Sequence, residues 1–166
     1  QFSEKSVLVN IAYVQELKFK SGFFGHKEGE ALLSYRLPFS SRHLTVGDLD
    51  GDGNPDIILA SGDKIRVYKP GVDLTLLWEI KMPLTGDVLW IDTLDTNKNK
   101  KDDILITIMR DGDVISYIYE LKDASFVEIY RLKDTFIRRL DSGIISQGYS
   151  KRDGYDGMVS YIVFAD

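Results

Sequence analysis

The sequence predicts an all-β protein built from repeated units of about four antiparallel strands, and three observations support this prediction. An acidic segment at residues 48–56 recurs at residues 95–103, with a shift of 47 residues at every aligned position. Each copy is followed by two β-type runs that a two-residue turn separates. A repeat period of about 20–50 residues is typical of architectures that place one supersecondary unit after another.

Each repeat contains enough strand-like segments for one four-stranded sheet, the size of a β-propeller blade. The turns Gly62-Asp63 and Asp111-Gly112 suit the positive φ angles of tight hairpins. The expected strands are residues 44–46, 57–61, 64–69 and 74–81 in the first repeat, and residues 88–91, 104–110, 113–121 and 126–132 in the second.

The first acidic segment, residues 48–56, is called the first loop, and its composition predicts a calcium site. Carboxylates alternate with small or turn-forming residues, so that successive oxygens can converge on one centre. Several hard oxygen ligands suit calcium better than zinc or copper. The predicted ligand positions are Asp48, Asp50, Asp52, Asn54 and Asp56, with Asn54 offering its carbonyl oxygen.

The first loop is not an EF-hand. Counted from Asp48, an EF-hand requires a bidentate Glu at position twelve, and that position is Leu59 within an apolar run. A strand, not a helix, is therefore expected after the loop. We also expect Gly53 to take a positive φ at the sharpest part of the turn.

The second acidic segment, residues 95–103, is called the second loop and is predicted to be a weaker site. Its aligned ligand positions are Asp95, Asn97, Asn99, Lys101 and Asp103. Only two of these are carboxylates, and three lysines lie in the same segment. Lys100 replaces Gly53, which costs about 1–2 kcal/mol if the left-handed conformation is kept. The alternative is a loop that has kept its shape and lost the ion.

A third, degraded copy of the loop is expected at residues 148–156, with Asp156 aligned to Asp56. Its ligand positions carry Gly148, Ser150 and Arg152, so calcium is not expected there. Arg152 is a candidate for the place of the cation.

The pattern D-x-D-x-D-G-x-x-D followed by a strand resembles the calcium loop of the FG-GAP and VCBS repeats, which build integrin-type β-propellers. The resemblance implies a calcium-stabilised extracytoplasmic scaffold, without catalytic activity, that recognises a protein or a carbohydrate. Two alternatives stay open. One is the non-catalytic propeller part of a secreted enzyme such as a polysaccharide lyase, and the other is an architectural subunit of a surface fibre or assembly.

The repeat divides the chain into roughly three blades of material, whereas propellers typically have about four to eight. We expect completion by further sequence or by another chain. The expected units are residues 1–40 as a partial blade, 41–84 as the blade with the calcium loop, 85–135 as the blade with the divergent loop, and 136–166 as the start of a further blade.

Composition excludes several other classes of function. The hydrophobic content of 43% fits a globular protein, and the net charge of −5 argues against a nucleic-acid surface. No apolar stretch is long enough to span a membrane as a helix. The histidines, His26 and His43, have no cysteine or nearby partner that would make a zinc site, and no G-x-S-x-G motif is present.

Two further expectations concern the compartment and the tryptophans. Calcium loops of extracellular modules bind with dissociation constants of about 10⁻⁴–10⁻³ M, which favours the periplasm, the cell surface or the medium. Trp78 and Trp90 lie in strand-like runs, where large aromatic side chains usually fill the core between blades.

Overall fold

The computed structural model describes residues 37, 41–71, 73–82, 86–141, 143–162 and 164. These residues form three antiparallel sheets of four, four and three strands. The first sheet contains β1 (His43–Gly47), β2 (Asp56–Ser61), β3 (Lys64–Lys69) and β4 (Thr75–Lys81); the second contains β5 (Asp87–Leu94), β6 (Asp103–Arg110), β7 (Asp113–Lys122) and β8 (Ser125–Lys133); the third contains β9 (Thr135–Leu140), β10 (Gly143–Ser150) and β11 (Gly154–Ile162).

The predicted all-β fold is confirmed, and the sheets are arranged as successive propeller blades. In the first two sheets, neighbouring strands follow the chain order, β1-β2-β3-β4 and β5-β6-β7-β8. All eight predicted strands are present, with boundaries that differ from the predicted ones by three residues at most. The partial blade expected at residues 1–40 lies outside the described residues except for Leu37.

The core between the first and second sheets explains the apolar runs that follow the acidic loops. Ile58 and Ala60 of β2 contribute to one buried cluster together with Ile104 and Ile106 of β6. Alternate residues of the same strands contribute to two other clusters, Leu59 with Tyr68 on one side and Leu105 with Ile118 on the other. Because side chains alternate between the faces of a strand, a sheet buried on both faces requires a continuous apolar run.

Both tryptophans lie between sheets, as expected. Trp78 packs against the first cluster, and its ring meets Phe126 of β8 edge to face at a centroid distance of 5.8 Å. Trp90 of β5 stacks with the guanidinium of Arg138 from β9, whose Cζ lies 3.7 Å from the ring centroid.

Polar contacts also join the second and third sheets. The hydroxyl groups of Thr107 and Ser116 are 2.7 Å apart and buried, and Ser116 donates to the carbonyl oxygen of Thr135 at 2.6 Å. These contacts place β9 directly beside β6 and β7.

The third sheet begins with β9, and this corrects the expectation of a degraded acidic loop at residues 148–156. Thr93 of β5 donates to the Val46 carbonyl of β1 at 2.7 Å, and Arg139 of β9 donates to the Thr93 carbonyl at 3.1 Å. The first strand of the third unit is therefore β9, which only residues 141 and 142 separate from β10.

The degraded loop expected at residues 148–156 is not formed. Most of that segment belongs to β10 and β11, which residues 151–153 connect. Asp156 does not correspond to Asp56, because a two-residue connection follows β9 where the first two sheets have the acidic loop. Arg152 is 92% exposed and does not fill a cation site. Within the described part of the chain, no helix is long and apolar enough to cross a membrane.

Candidate metal site

The first loop connects β1 to β2 at one end of the first sheet. Leu49, its second residue, is fully buried in the core between the sheets, which fixes the loop against the body of the protein. One carboxylate oxygen from each of Asp48, Asp50 and Asp52 lies within 4.8 Å of the others. Three of the predicted ligands are thus brought together.

Side-chain hydrogen bonds fold the first loop around these carboxylates. Asp48 accepts the backbone N–H groups of Asp52 and Gly53 at 3.1 and 2.8 Å, one on each oxygen. Asp50 accepts the N–H of Asp52 at 3.1 Å, and Asp52 accepts the N–H of Asn54 at 2.8 Å. The predicted positive φ of Gly53 is confirmed at 84°. Backbone N–H groups thus occupy one oxygen of Asp50 and of Asp52 and both oxygens of Asp48, and each carboxylate keeps further acceptor capacity for a ligand.

Asp56, the last predicted ligand, is the first residue of β2 and is fully buried. Its Oδ2 accepts the N–H of Leu49 at 3.2 Å, whereas its Oδ1 has no hydrogen-bond partner in the described protein. Burial raises the pKa of Asp56 to about 6, and the negative charges of Asp50 and Asp52 add to the rise. A buried carboxylate oxygen without a partner is costly, and a cation would remove that cost.

Lys69, at the end of β3, was not identified from the sequence, and its ammonium group meets the same carboxylates. Its Nζ contacts Asp52 and lies 3.5 Å from Asp50 Oδ2. The hydrogen bond with Asp52 raises the pKa of Lys69 and lowers that of Asp52. The register of the β2–β3 hairpin could have identified Lys69 from the sequence. Tyr68 pairs with Ile57, and the next position places Lys69 opposite Asp56.

The residues of the first loop fit a calcium ion. The donor set consists of carboxylate oxygens, three of them clustered, and includes one buried oxygen that no protein group satisfies. Hard oxygen donors of this kind are what calcium prefers. Asn54 is exposed, and its side-chain amide donates to Asp52 at 3.2 Å.

The second loop has the same backbone hydrogen bonds as the first. Asp95 accepts the N–H groups of Asn99 and Lys100 at 3.0 and 2.8 Å, as Asp48 does with the residues 47 positions earlier. Asn97 accepts the N–H of Asn99 at 3.1 Å, and Asn99 accepts the N–H of Lys101 at 2.8 Å. Replacing two aspartates by asparagines has therefore preserved the shape of the loop.

The left-handed positions are also preserved, although the glycines are lost. Gly51 and Gly53 have φ angles of 78° and 84°, and the aligned Lys98 and Lys100 have φ angles of 58° and 67°. The left-handed conformation expected at Lys100 is thus confirmed. Lysine normally prefers a negative φ, so two lysines in this conformation show that the geometry of the loop prevails over the preference of the single residue.

Asp103 repeats the environment of Asp56. It is fully buried, its Oδ2 accepts the N–H of Thr96 at 3.1 Å, and its Oδ1 has no partner in the described protein. Burial raises the pKa of Asp103 to about 6, and the charges of Glu120 and Asp95 add to the rise. Within the described part of the chain, the first loop alone has three acidic groups within 4.8 Å of one another.

The two loops lie next to each other in space. A Cβ atom on Gly47 would lie 2.6 Å from Thr93 Oγ1 and 2.8 Å from a carboxylate oxygen of Asp102, so that this approach requires glycine. The position of a Cβ on Gly51 is 3.1 Å from the Lys101 Cγ. The predicted ligand position Lys101 therefore presents its side-chain stem to the first loop.

Comparison with known proteins agrees with this geometry. A family model described as FG-GAP-like repeat matches residues 48–106, which include both acidic loops and the hairpin between them. No curated protein matches the chain.

Proposed function

We propose, on the basis of the FG-GAP-like repeat that this chain carries, that the protein is a calcium-stabilised propeller scaffold outside the cytoplasm, and that it recognises a protein or a carbohydrate. The observation that supports calcium most strongly is the buried Asp56 Oδ1. This oxygen has no protein partner and belongs to the same loop as three clustered carboxylates.

Calcium in the first loop has a structural role in this proposal. The loop joins the end of β1 to the start of β2, and four of its residues are aspartates. Without a metal ion these carboxylates repel one another, and Lys69 neutralises one charge at most. An ion that Asp48 and Asp56 share would tie the two strands together at that end of the sheet. Metal binding to the folded state alone stabilises it by mass action.

The expected strength of the site supports a location outside the cytoplasm. FG-GAP-like loops of moderate affinity remain filled only where calcium is abundant, at about 10⁻³ M. The exposed position of Asp52 and Asn54 supports moderate affinity, because a solvent-open loop is less rigid than an enclosed one.

Calorimetric titration of the protein with calcium tests the site. The comparison is between the natural chain, the double variant Asp50→Asn/Asp52→Asn, and the control Asp73→Asn, which removes an exposed charge outside both loops. We expect the double variant to lose the first-loop site and the control to keep it. Unchanged binding in the double variant would refute a calcium site in this loop.

Recognition is tested separately with a glycan array and with capture from native extract, each performed in calcium and in chelator. We expect binding that weakens when the chelator loosens the first loop. A partner or glycan that is captured equally by the calcium-free protein would show that recognition does not depend on the site.

An architectural role is the second candidate, and the edge strand β11 favours it. Among the described strands β11 pairs with β10 alone, and Met158 and Val159 on it are 72% and 65% exposed. Exposed apolar edge strands are normally covered or paired. Sedimentation of the complete natural protein tests this role: an assembly that Met158→Lys disrupts would support it, and a stable monomer would oppose it.

A further inference from the structure

We infer that Glu120 is a metal ligand of the second loop and completes a second divalent-cation site there. The inference rests on the proposed calcium-binding function and extends it to a residue that lies outside the loop motif. Four observations carry it: the position of Glu120 in the sheet, its contacts, the charge balance of the loop, and the free oxygen of Asp103.

The position of Glu120 is equivalent to that of Lys69 in the first sheet. Tyr68 pairs with Ile57, and Lys69 follows it; Tyr119 pairs with Ile104, and Glu120 follows it. The third strand of each unit thus delivers a charged side chain to the loop. In the first unit that side chain is a cation among four aspartates, and in the second it is an anion.

The contacts show that Glu120 reaches the second loop. Its Oε1 accepts hydrogen bonds from the amide groups of Asn97 and Asn99 at 2.9 and 3.1 Å. Only 9% of its side chain is exposed. The carboxylate therefore lies against the two predicted ligand positions at which the second loop has lost its charge.

The charge balance supports a divalent cation. With Glu120 the ligand positions of the second loop carry three carboxylates, the others being Asp95 and Asp103, whereas the loop motif alone supplies two. The first loop has four aspartates and one ammonium group, from Lys69. Counted with the ammonium group that each contacts, Lys69 in the first site and Lys122 in the second, the formal charges are −3 and −2, so that both sites stay negative. Lys122 forms an ion pair with Glu120 at 2.7 Å, but 54% of its side chain is exposed, so that solvent weakens its effect.

The free oxygen of Asp103 is the observation that points to a ligand. This residue is fully buried, and its Oδ1 has no partner among the described residues. The charges of Glu120 and Asp95 both act on it. A buried carboxylate oxygen without a partner is costly, and a cation at the second loop would remove that cost.

The test counts the calcium ions bound to the complete protein by equilibrium dialysis and calorimetry. We expect two ions for the natural chain. Glu120→Gln retains the size and one acceptor oxygen of the side chain, and it should weaken the second site at least about tenfold. Glu128→Gln is the matched control, because Glu128 is the same residue type on the neighbouring strand and pairs with Arg131 at 2.8 Å. The control should retain both sites.

A second measurement separates loss of a ligand from loss of structure. Unfolding in chelator should be nearly the same for Glu120→Gln as for the natural chain, whereas the stabilisation by calcium should be reduced. Two ions bound with unchanged affinity by Glu120→Gln would overturn the inference.

One ion that is lost in Asp50→Asn/Asp52→Asn and kept in Glu120→Gln would also overturn the inference, and the proposed first-loop site would stand. One ion that is lost in Glu120→Gln and kept in Asp50→Asn/Asp52→Asn would support Glu120 as a ligand and refute the first-loop site. No bound ion at all would refute both.

Discussion

Asp48 and Asp102 form a reciprocal pair of hydrogen bonds that joins the two acidic loops. The backbone N–H of Asp48 donates to the Asp102 carboxylate at 3.0 Å, and the N–H of Asp102 donates to the Asp48 carbonyl at 2.8 Å. Asp48 is the first residue of the first loop, and Asp102 directly precedes Asp103, the last residue of the second. The loops of successive sheets are therefore one connected structure.

Removing the Asp102 carboxylate should weaken both the fold and the first site. Asp102→Ala leaves the N–H of Asp48 without its acceptor, and a hydrogen bond to a charged group contributes about 1.5–3 kcal/mol. We expect the free energy of unfolding in urea to fall by about 1–2 kcal/mol, because Asp102 is only half-buried. The first-loop calcium affinity should also fall. A change below about 0.5 kcal/mol, as for an ordinary surface substitution, would contradict the link between the loops.

Relieving the left-handed strain of the second loop should stabilise the protein. Lys100→Gly places glycine at a φ of 67° and should raise the free energy of unfolding by about 1 kcal/mol. Lys100→Ala is the control, since it removes the charge and keeps the strain. In the first loop Gly53→Ala should cost a similar amount, because an added Cβ meets no atom within 4 Å and the penalty is purely conformational. Equal stability of Lys100→Gly and Lys100→Ala would refute this explanation.

Neutralising Lys69 should have opposite effects on the metal-free and the calcium-bound protein. Its ammonium group contacts Asp52, so Lys69→Gln should destabilise the protein in chelator. The same substitution removes a competing cation and should strengthen calcium binding at the first loop. The measurement is calorimetric titration together with urea unfolding in chelator, and Lys64→Gln, on the same strand, serves as control. Weaker calcium binding by Lys69→Gln would show that the lysine assists the site.

The stability of the protein should depend on the protonation of His43. Partial burial on β1 lowers the pKa of this imidazole below its usual value, and the positive charge of Arg42 lowers it further, against a hydrogen bond to the Val88 carbonyl. The unfolded chain therefore takes up a proton first as the pH falls below about 6.5. The stability contributed by the neutral form is present above that pH and is lost as the pH falls toward the folded pKa.

Urea unfolding at pH 7.5 and pH 5.5 measures this effect, with calcium in excess throughout. We expect His43→Gln to lose less stability than the natural chain between the two pH values. An identical loss in both proteins would mean that other groups account for the pH dependence.

The strands and the first loop could be predicted because their signals are local. Apolar runs such as residues 57–59, two-residue turns and alternating aspartates specify structure within about ten residues of chain. The left-handed φ of Gly53 and Lys100 followed from the same spacing. Local pattern and final structure agree wherever the repeat is intact.

The contributions of Lys69, Asp102 and Glu120 could not be read from the loop motif, because distant parts of the chain bring them to the loops. Lys69 and Glu120 arrive through hairpin pairing, and an explicit hairpin register would have revealed them. Asp102 reaches Asp48 through the packing of one sheet against the next, 54 residues along the chain. No local pattern contains that information.

Thermal unfolding in calcium and in chelator tests the central claim most directly. We predict that a hundredfold excess of calcium over the dissociation constant of the first loop stabilises the protein by about 2.7 kcal/mol through that site, which raises the midpoint by about 5–10 °C. Asp50→Asn/Asp52→Asn should lose the first loop's share of this shift, whereas Asp73→Asn should keep all of it. A midpoint that is the same in calcium and in chelator for the natural chain would contradict the account.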